Sequence, residues 1–520
     1  MRLLERAARR GLTLLDATAN RLYGWAWNPL HQTGTVAVVM LLVLLGTGLY
    51  LVLFYRVGSP AASVAAIAAD PWLGSWMRTL HRYASDVFVV AALLHAFRMF
   101  AQSRGWGPRS LAWVSGLVLF GLGVVCAWTG FVMAWDSFGE RLGREGARLL
   151  DVLPVFSEPL SRIFAGDRPV PSAFFFVNLF VHIAVPLGMG VALWLHVSRV
   201  ARPVLLPPKR LLWSIVGALT AVSVILPAPL GEPANPFVLA RATPTDLFVA
   251  WWLPLSERFA AGGVWLVTLI ALALALMVPR LVRKPREGAL APSVVDPRLC
   301  TGCNQCPQDC PWDAITMVKR ADERPTLVAS VDPTRCVSCG ICAGSCAPMG
   351  VGPPGRTGRD QLMTARSALD IADVDGRMPI VAICCEKAPA GQLAELRLRG
   401  AYVHPVSCVG NLHSSVIELF VRTGAPGVIV FGCPPRDCVS REGPKWLHER
   451  VFNDREAELQ PRVDRRRVRI ATIAPGDGGG AIAALGAFAH ELSALDRPDR
   501  AADDAPDLVC DSVVTEGAEP

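Results

Sequence analysis

Cysteine is almost missing from the first 299 of the 520 residues, where Cys126 stands alone, and charge is missing from long stretches of the same region. Such runs do not fit a purely soluble chain. No basic stripe with interleaved aromatics occurs, which excludes nucleic acid as a partner and leaves the net charge of +7 to be explained otherwise. The opening MRLLERAARRGLTLL lacks the apolar core and small-residue cleavage site of a signal peptide. No nucleophile, paired carboxylates or metal-activated water site stands out either, so the chemistry has to be sought elsewhere.

Uncharged runs cover residues 35–55, 110–135, 169–198, 211–231 and 259–279. Each is long enough to cross a hydrocarbon core of about 30 Å. The stretch from 77 to 101 makes a sixth crossing despite Arg82 and Asp86. The first 30 residues read as an Arg-rich amphipathic helix on the cytoplasmic membrane surface. Arginines and lysines cluster again at 98–109, 199–210 and 280–286, which are then the cytoplasmic loops. Six crossings place both the N-terminus and the C-terminal half in the cytoplasm of a multi-pass inner-membrane protein in contact with lipid.

Two histidines, His81 and His95, bracket the greasy run HRYASDVFVVAALLH. Fourteen helical residues advance about 21 Å and return nearly to the same face. His182 and His196 repeat that spacing on the fourth crossing, which runs in the same direction as the second. The four should face each other in pairs, His81 with His182 near the outer face and His95 with His196 near the cytoplasmic face. That arrangement suits two bis-histidine haems stacked across the bilayer. Gly34 and Gly48, and Gly116 and Gly130, are also fourteen apart on the first and third crossings, leaving room for something flat to pass the backbone.

With LLGTGLYLVLF, the histidine pairs, GFVMAW, LLDVLPVFSEPLSRIFAGDRPV and LGEPANPFVLARATPTDLF, the region from about 20 to 285 resembles cytochrome b of the quinol-oxidising bc complexes. The resemblance implies two b haems on the four histidines, with Arg78 and Arg98 near their propionates. It also implies a quinone as substrate and a homodimer through this domain, at 31–284. The family's Pro-Glu-Trp-Tyr motif is replaced by Pro244-Thr245-Asp246-Leu247, so Asp246 would have to stand in for the proton-accepting glutamate.

Thirteen of the fifteen cysteines lie between 300 and 438. CTGCNQCPQDCP at 300–311 has the C-x2-C-x2-C-x3-C-P spacing of bacterial ferredoxins, and CVSCGICAGSCAP repeats the cysteine spacing at 336–348. Both copies follow Val-Asp-Pro, marking a duplication. Residues 285–355 therefore read as a ferredoxin-like dicluster domain. The fourth cysteine of each run serves the other cluster in this motif. One 4Fe-4S cluster falls to Cys300, Cys303, Cys306 and Cys346, the other to Cys336, Cys339, Cys342 and Cys310.

Beyond a Gly/Pro/Arg linker, the runs PIVAIC, AYVHPVSC, GVIVFGC and RVRIATIAP alternate with helical segments, predicting a small α/β domain with a parallel sheet at 370–495. Cys384 or Cys385, Cys408 and Cys433 converge at its carboxyl edge, with Cys438 close behind, and suggest a further iron–sulfur cluster. The adjacent Cys384 and Cys385, PVSCVGNLHSSVIELFVRTGAPGVIVFGC and PPRDC make this region similar to the delta subunit of methyl-viologen-reducing hydrogenase. That resemblance implies a 2Fe-2S cluster and a cytoplasmic flavoprotein, hydrogenase or heterodisulfide-reductase-like partner. The polar tail at 496–520 reads as disordered.

The fold expected is thus a six-helix, cytochrome b-like transmembrane bundle followed by a dicluster domain and a small parallel-sheet domain. The function expected is respiratory-type electron transfer between the quinone pool and a cytoplasmic redox partner, as a quinone oxidoreductase subunit. The alternative is a non-catalytic membrane anchor and electron relay.

Overall fold

The computed structural model describes residues 2–102, 104, 105, 109–154, 157–164, 169–198, 203–235, 246, 248–281, 291–372, 377–386, 390–435 and 437–495. Pro244, Thr245, Leu247, Cys510 and the tail at 496–520 lie outside the described residues. The chain forms two compact units, one of residues 1–290 with 311–314 and 332–337, the other of 291–310, 315–331 and 338–520.

The first unit is helical. Its helices are α1 (Arg2–Tyr23), α2 (Thr33–Phe54), α3 (Pro60–Ala69), α4 (Gly74–Ala101), α5 (Ser110–Ala134), α6 (Ser137–Leu150), α7 (Ser172–Ser198), α8 (Lys209–Ile225), α9 (Leu253–Arg258) and α10 (Ala261–Leu281). Among the described residues, five stretches are long and apolar enough to cross a membrane: 29–54, α4, α5, α7 and α10. The helix count therefore exceeds six, because short and amphipathic helices lie between the long ones. The crossing expected at 211–231 is α8, of 17 residues, about 25 Å at the helical rise. Pro227 and Pro229 stop it early, since the residue before a proline is pushed out of helical conformation.

Leu266, Val267, Leu269 and Ile270 of α10 are exposed, a surface that matches lipid rather than water. Inward, α2 packs along α4 and α5 along α7. Val36, Val39 and Met40 of α2 meet Ala84 and Ala91 of α4, whose small side chains let the helices approach. Helix α1 docks through a charge pair. Arg98 of α4 donates to Asp16 from both terminal nitrogens, at 2.8 and 3.0 Å, and the two residues are 3% and 2% exposed. Removing one partner of a buried pair strands the other charge, so Asp16→Ala should destabilise this unit by about 3–5 kcal/mol. A lower thermal midpoint, with faster tryptic cleavage in α1, is the expected readout.

The second unit begins with two antiparallel ribbons, β1 (Val294–Val295) with β4 (Val351–Gly352) and β2 (Ile315–Val318) with β3 (Val328–Val331). Two short helices, α11 (Gln305–Asp309) and α12 (Ile341–Gly344), carry the cysteine runs. The duplication is written in the backbone: Gly302 and Ser338, and Asn304 and Gly340, have positive φ at matching positions of the two runs. After α13 (Gly358–Ala372) come β5 (Val381–Cys385), α14 (Ala390–Leu398), β6 (Tyr402–Val406), α15 (Ser414–Arg422), β7 (Val428–Gly432), α16 (Gly443–Phe452), β8 (Val468–Thr472) and α17 (Gly478–Ser493). The four strands form one parallel sheet in the order β6-β5-β7-β8.

Alternate residues of a strand point to opposite faces, and both faces of this sheet are buried. Val381, Ile383 and Cys385 of β5 join Ile417, Phe420 and Leu447 on one face. Ala382 and Cys384 join Leu396, Leu485 and Phe488 on the other.

Candidate metal centres

The four histidines face each other as the spacing predicts. The His81 and His182 ring centroids are 6.3 Å apart, and those of His95 and His196 are 6.5 Å apart. A metal bonded to one nitrogen of each ring at about 2 Å would put the centroids about 6 Å apart. Both separations match that distance, as a bis-histidine haem requires.

The four glycines stand where the imidazoles approach. A Cβ on Gly34, Gly48, Gly116 or Gly130 would come within 2.9, 3.4, 3.3 and 2.9 Å of the rings of His95, His81, His196 and His182 respectively. They make room for the imidazoles themselves. Each is also preceded by a hydroxyl residue, Thr33, Thr47, Ser115 and Thr129, a pattern that sequence reasoning passed over. Thr47 Oγ1 lies 2.8 Å from His81 Nδ1, Ser115 Oγ 3.1 Å from His196 Nδ1 and Thr129 Oγ1 3.1 Å from His182 Nδ1. An oxygen at Nδ1 sets the ring's rotation and leaves Nε2 for a metal.

His182 is held most fully, with Nδ1 also 3.0 Å from the Cys126 carbonyl. Pro186, inside α7, has no N–H for the His182 carbonyl. Cys126 Sγ donates to that carbonyl at 3.9 Å instead, so a cysteine that stood alone in the sequence belongs to this site.

The arginines and Asp246 each have protein partners. Arg98 holds Asp16, as described, and Arg78 donates to the carbonyls of Ala228 and Pro229 at 2.8 and 3.1 Å. Asp246 pairs with Arg82, which also binds Asp86, and accepts from the Phe248 and Val249 N–H groups at 3.0 and 2.6 Å. At the His81–His182 end, Trp135, Phe164, Phe175, Ser172, Glu140 and Arg144 line a cavity of about 350 Å³. Trp135 follows Gly130, the His182 neighbour, by five residues. Its backbone is left-handed, with φ 49°, which turns the chain sharply at the cavity wall.

In the second unit Cys300, Cys303, Cys306 and Cys346 line one enclosed space with Val295 and Val351. The fourth cysteine of the second run joins the first three of the first, the exchange expected of the motif. Burial raises the Cys306 and Cys346 thiol pKa values, so ionising them here needs a compensating cation. Gly350 N–H donates to Cys346 Sγ at 3.3 Å. Cys342 feels the charges of Cys339 and Cys310 and has Ser293 Oγ at 3.3 Å. Cys336 begins the second run with its N–H on the Asp332 carbonyl at 3.0 Å, as Cys300 does on Asp296 at 3.2 Å.

At the carboxyl edge of the parallel sheet, Cys433 Sγ is 3.7 Å from Cys385 Sγ. Cys408 and Cys433 both hydrogen-bond Cys438, and with the Ser440 and Gly443 N–H groups they hold its thiol pKa well below the ordinary range. Four sulfurs thus converge. Gly443 is required there, since a Cβ would come 2.9 Å from Cys408 Sγ. Cys384 does not join them: it lies on the other face, hydrogen-bonded to the Ala382 carbonyl at 3.7 Å, and burial pushes its pKa up to about 12.

The chain resembles known proteins segment by segment. Residues 22–203 match the family model of cytochrome b/b6/petB, residues 299–350 that of the 4Fe-4S dicluster domain, and residues 380–496 that of the methyl-viologen-reducing hydrogenase delta subunit. A solved structure titled as a hyperthermophilic respiratory complex III is 18% identical, with 48% of this chain and 74% of that chain covered at a TM-score of 0.38. The cytochrome b match implies haem and the dicluster match implies 4Fe-4S clusters. The chain is a multi-pass membrane electron-transfer subunit that joins a cytochrome b segment, a 4Fe-4S dicluster domain and a domain of hydrogenase delta-subunit type in one polypeptide.

Proposed function

We propose that this chain moves electrons between the quinone pool and a cytoplasmic flavoprotein, hydrogenase or heterodisulfide-reductase-like partner. The observation that carries the reading is the coexistence, in one polypeptide, of two imidazole pairs at metal-sharing distance and two convergent sets of four cysteines. His81 with His182, and His95 with His196, would each hold a b haem. The two ferredoxin runs would hold 4Fe-4S clusters, and Cys385, Cys408, Cys433 and Cys438 a 2Fe-2S cluster. These groups, when bound, supply one-electron carriers. The protein's part is to orient them, keep water away and handle the quinone's protons. The N-terminus and the cysteine-rich half would lie in the cytoplasm, as the Arg/Lys loops require.

The quinone would sit in the cavity at the His81–His182 end rather than beside the other pair. Trp135, Phe164 and Phe175 offer an apolar wall, and Glu140, ion-paired with Arg144 at 2.7 Å in the same lining, offers a carboxylate at the cavity. The decisive experiment adds a short-chain quinol to the air-oxidised, purified protein and follows the haem α-band, with dithionite as full scale. Prompt partial reduction, slowed in Glu140→Gln, is the expected result. Failure of quinols over a range of potentials, while dithionite still reduces both haems, would favour the second reading. In that reading the chain is an anchor and relay for a partner that binds the quinone, and the engagement of Asp246 by Arg82 is what favours it.

A further inference from the structure

The loop after β6 carries Cys408 to the four-sulfur site and then runs onto the dicluster domain. Asn411 Nδ2 donates to the Gly340 carbonyl at 3.0 Å, and His413 Nε2 lies 3.2 Å from the Cys346 carbonyl. Under this contact sits Arg450 of α16, 0% exposed. It donates to Ser345 Oγ at 3.0 Å and to the carbonyls of Gly410 and Leu412 at 2.9 and 3.3 Å. Ser345 Oγ donates in turn to Asp309 Oδ2 at 2.6 Å, and Asp309 Oδ1 accepts from Arg455 at 2.5 and 2.9 Å.

The positions of these residues give the network its meaning. Asp309 precedes Cys310, Ser345 precedes Cys346, and Gly410 is two residues past Cys408. One buried chain of hydrogen bonds therefore touches the neighbour of a cysteine in each of the three cysteine sets. A buried ion network is a poor way to gain stability, because apolar residues of similar volume do as well or better. What it provides is a fixed geometry, since both terminal nitrogens of Arg450 are committed to Ser345 and two loop carbonyls, while its buried Nε has no partner among the described residues. Burial lowers the Arg450 pKa only to about 10, so it remains a cation at neutral pH. A positive charge beside cluster ligands raises a reduction potential by favouring the more negative reduced state.

We propose that Arg450 is a positioning residue that locks the four-sulfur site of the α/β domain onto the dicluster domain, so that the three cysteine sets form a single electron path. The proposal rests on the cluster assignments made above. Cys408 and Cys346, tied to one guanidinium through Gly410 and Ser345, lie on the route by which a single electron passes between the four-sulfur site and the dicluster domain. The transfer makes and breaks no bond and moves no proton.

The test is EPR-monitored redox titration of the full, iron-loaded chain, comparing wild type, Arg450→Met and Arg450→Lys. In Arg450→Met the 2Fe-2S-type signal should shift to lower potential, and the spin–spin broadening it shows when the dicluster signals are also reduced should diminish, with iron and sulfide unchanged. Arg450→Lys keeps the charge without the planar fork, so the potential should return while the broadening does not. Unchanged potential and broadening in a fully loaded Arg450→Met protein would overturn the proposal. If that variant fails to fold, Ser345→Ala cuts the same link, leaves Arg450 its two carbonyls, and must show the same loss of broadening. Wild-type protein with iron for the two 4Fe-4S groups alone would sink the underlying assignment instead, and that outcome is read before any variant is made.

Discussion

On the proposed assignment of one haem to each histidine pair, replacing His182 with leucine should remove one haem and leave the other in place. Leucine fills similar volume but offers no metal ligand, and it strands His81 opposite with one ligand where two are needed. The oxygens that hold His182 Nδ1, Thr129 Oγ1 and the Cys126 carbonyl, lose that partner. The His95–His196 pair lies fourteen residues further along the same two helices, about 21 Å away, too far for direct coupling of the two sites. Haem per protein, measured as the pyridine haemochrome, should therefore fall by about half, and the α-band that remains should titrate as a single component. His95→Leu should give the complementary spectrum. Retention of both haems in either variant would refute the ligand pairs.

The parts of this molecule that were legible in sequence are those set by a period or a fixed spacing. The 14-residue repeats of histidine and glycine located α2, α4, α5 and α7 against one another, because a helix returns to one face at that interval. The cysteine runs located the dicluster pairing, and alternating apolar runs gave the four parallel strands. What sequence did not yield depended on partners distant along the chain. The amphipathic α1 helix is legible in sequence, but its anchoring to α4 is not, because Asp16 and Arg98, 82 residues apart, carry no local sign of pairing. The 14-residue glycine period shows in sequence, but that each glycine lies against one particular imidazole shows only in the packing. The Ser/Thr before each glycine was visible throughout, but hydroxyl residues are common in membrane helices and only the Nδ1 distances single them out. α8 fell short of its expected length because two prolines were counted as part of an apolar run.

The adjacent pair Cys384–Cys385 gives the second large effect. Cys385→Ser should abolish the 2Fe-2S-type signal of the purified chain while both dicluster signals survive, and Cys384→Ala should leave all three. The two residues have the same side chain and neighbouring positions, so composition cannot separate them. A strand can, because its side chains alternate between faces. Cys385 points to the face where Cys433 lies 3.7 Å away. Cys384 points to the face filled by Leu396, Phe431 and Phe488, and its pKa, pushed up by burial to about 12, keeps it a thiol. For Cys384→Ala only a small cavity is expected, at about 1 kcal/mol or a little more, seen as a modest fall in thermal midpoint. Loss of the signal in Cys384→Ala with retention in Cys385→Ser would mean that β5 is shifted by one residue from the register that pairs Cys385 with Val406. Such a slip would exchange every buried side chain of the strand between faces. It would bring Ala382 into the core that Val381 and Ile383 now fill, so the same experiment reads the register of the sheet as well as the ligand set of its edge.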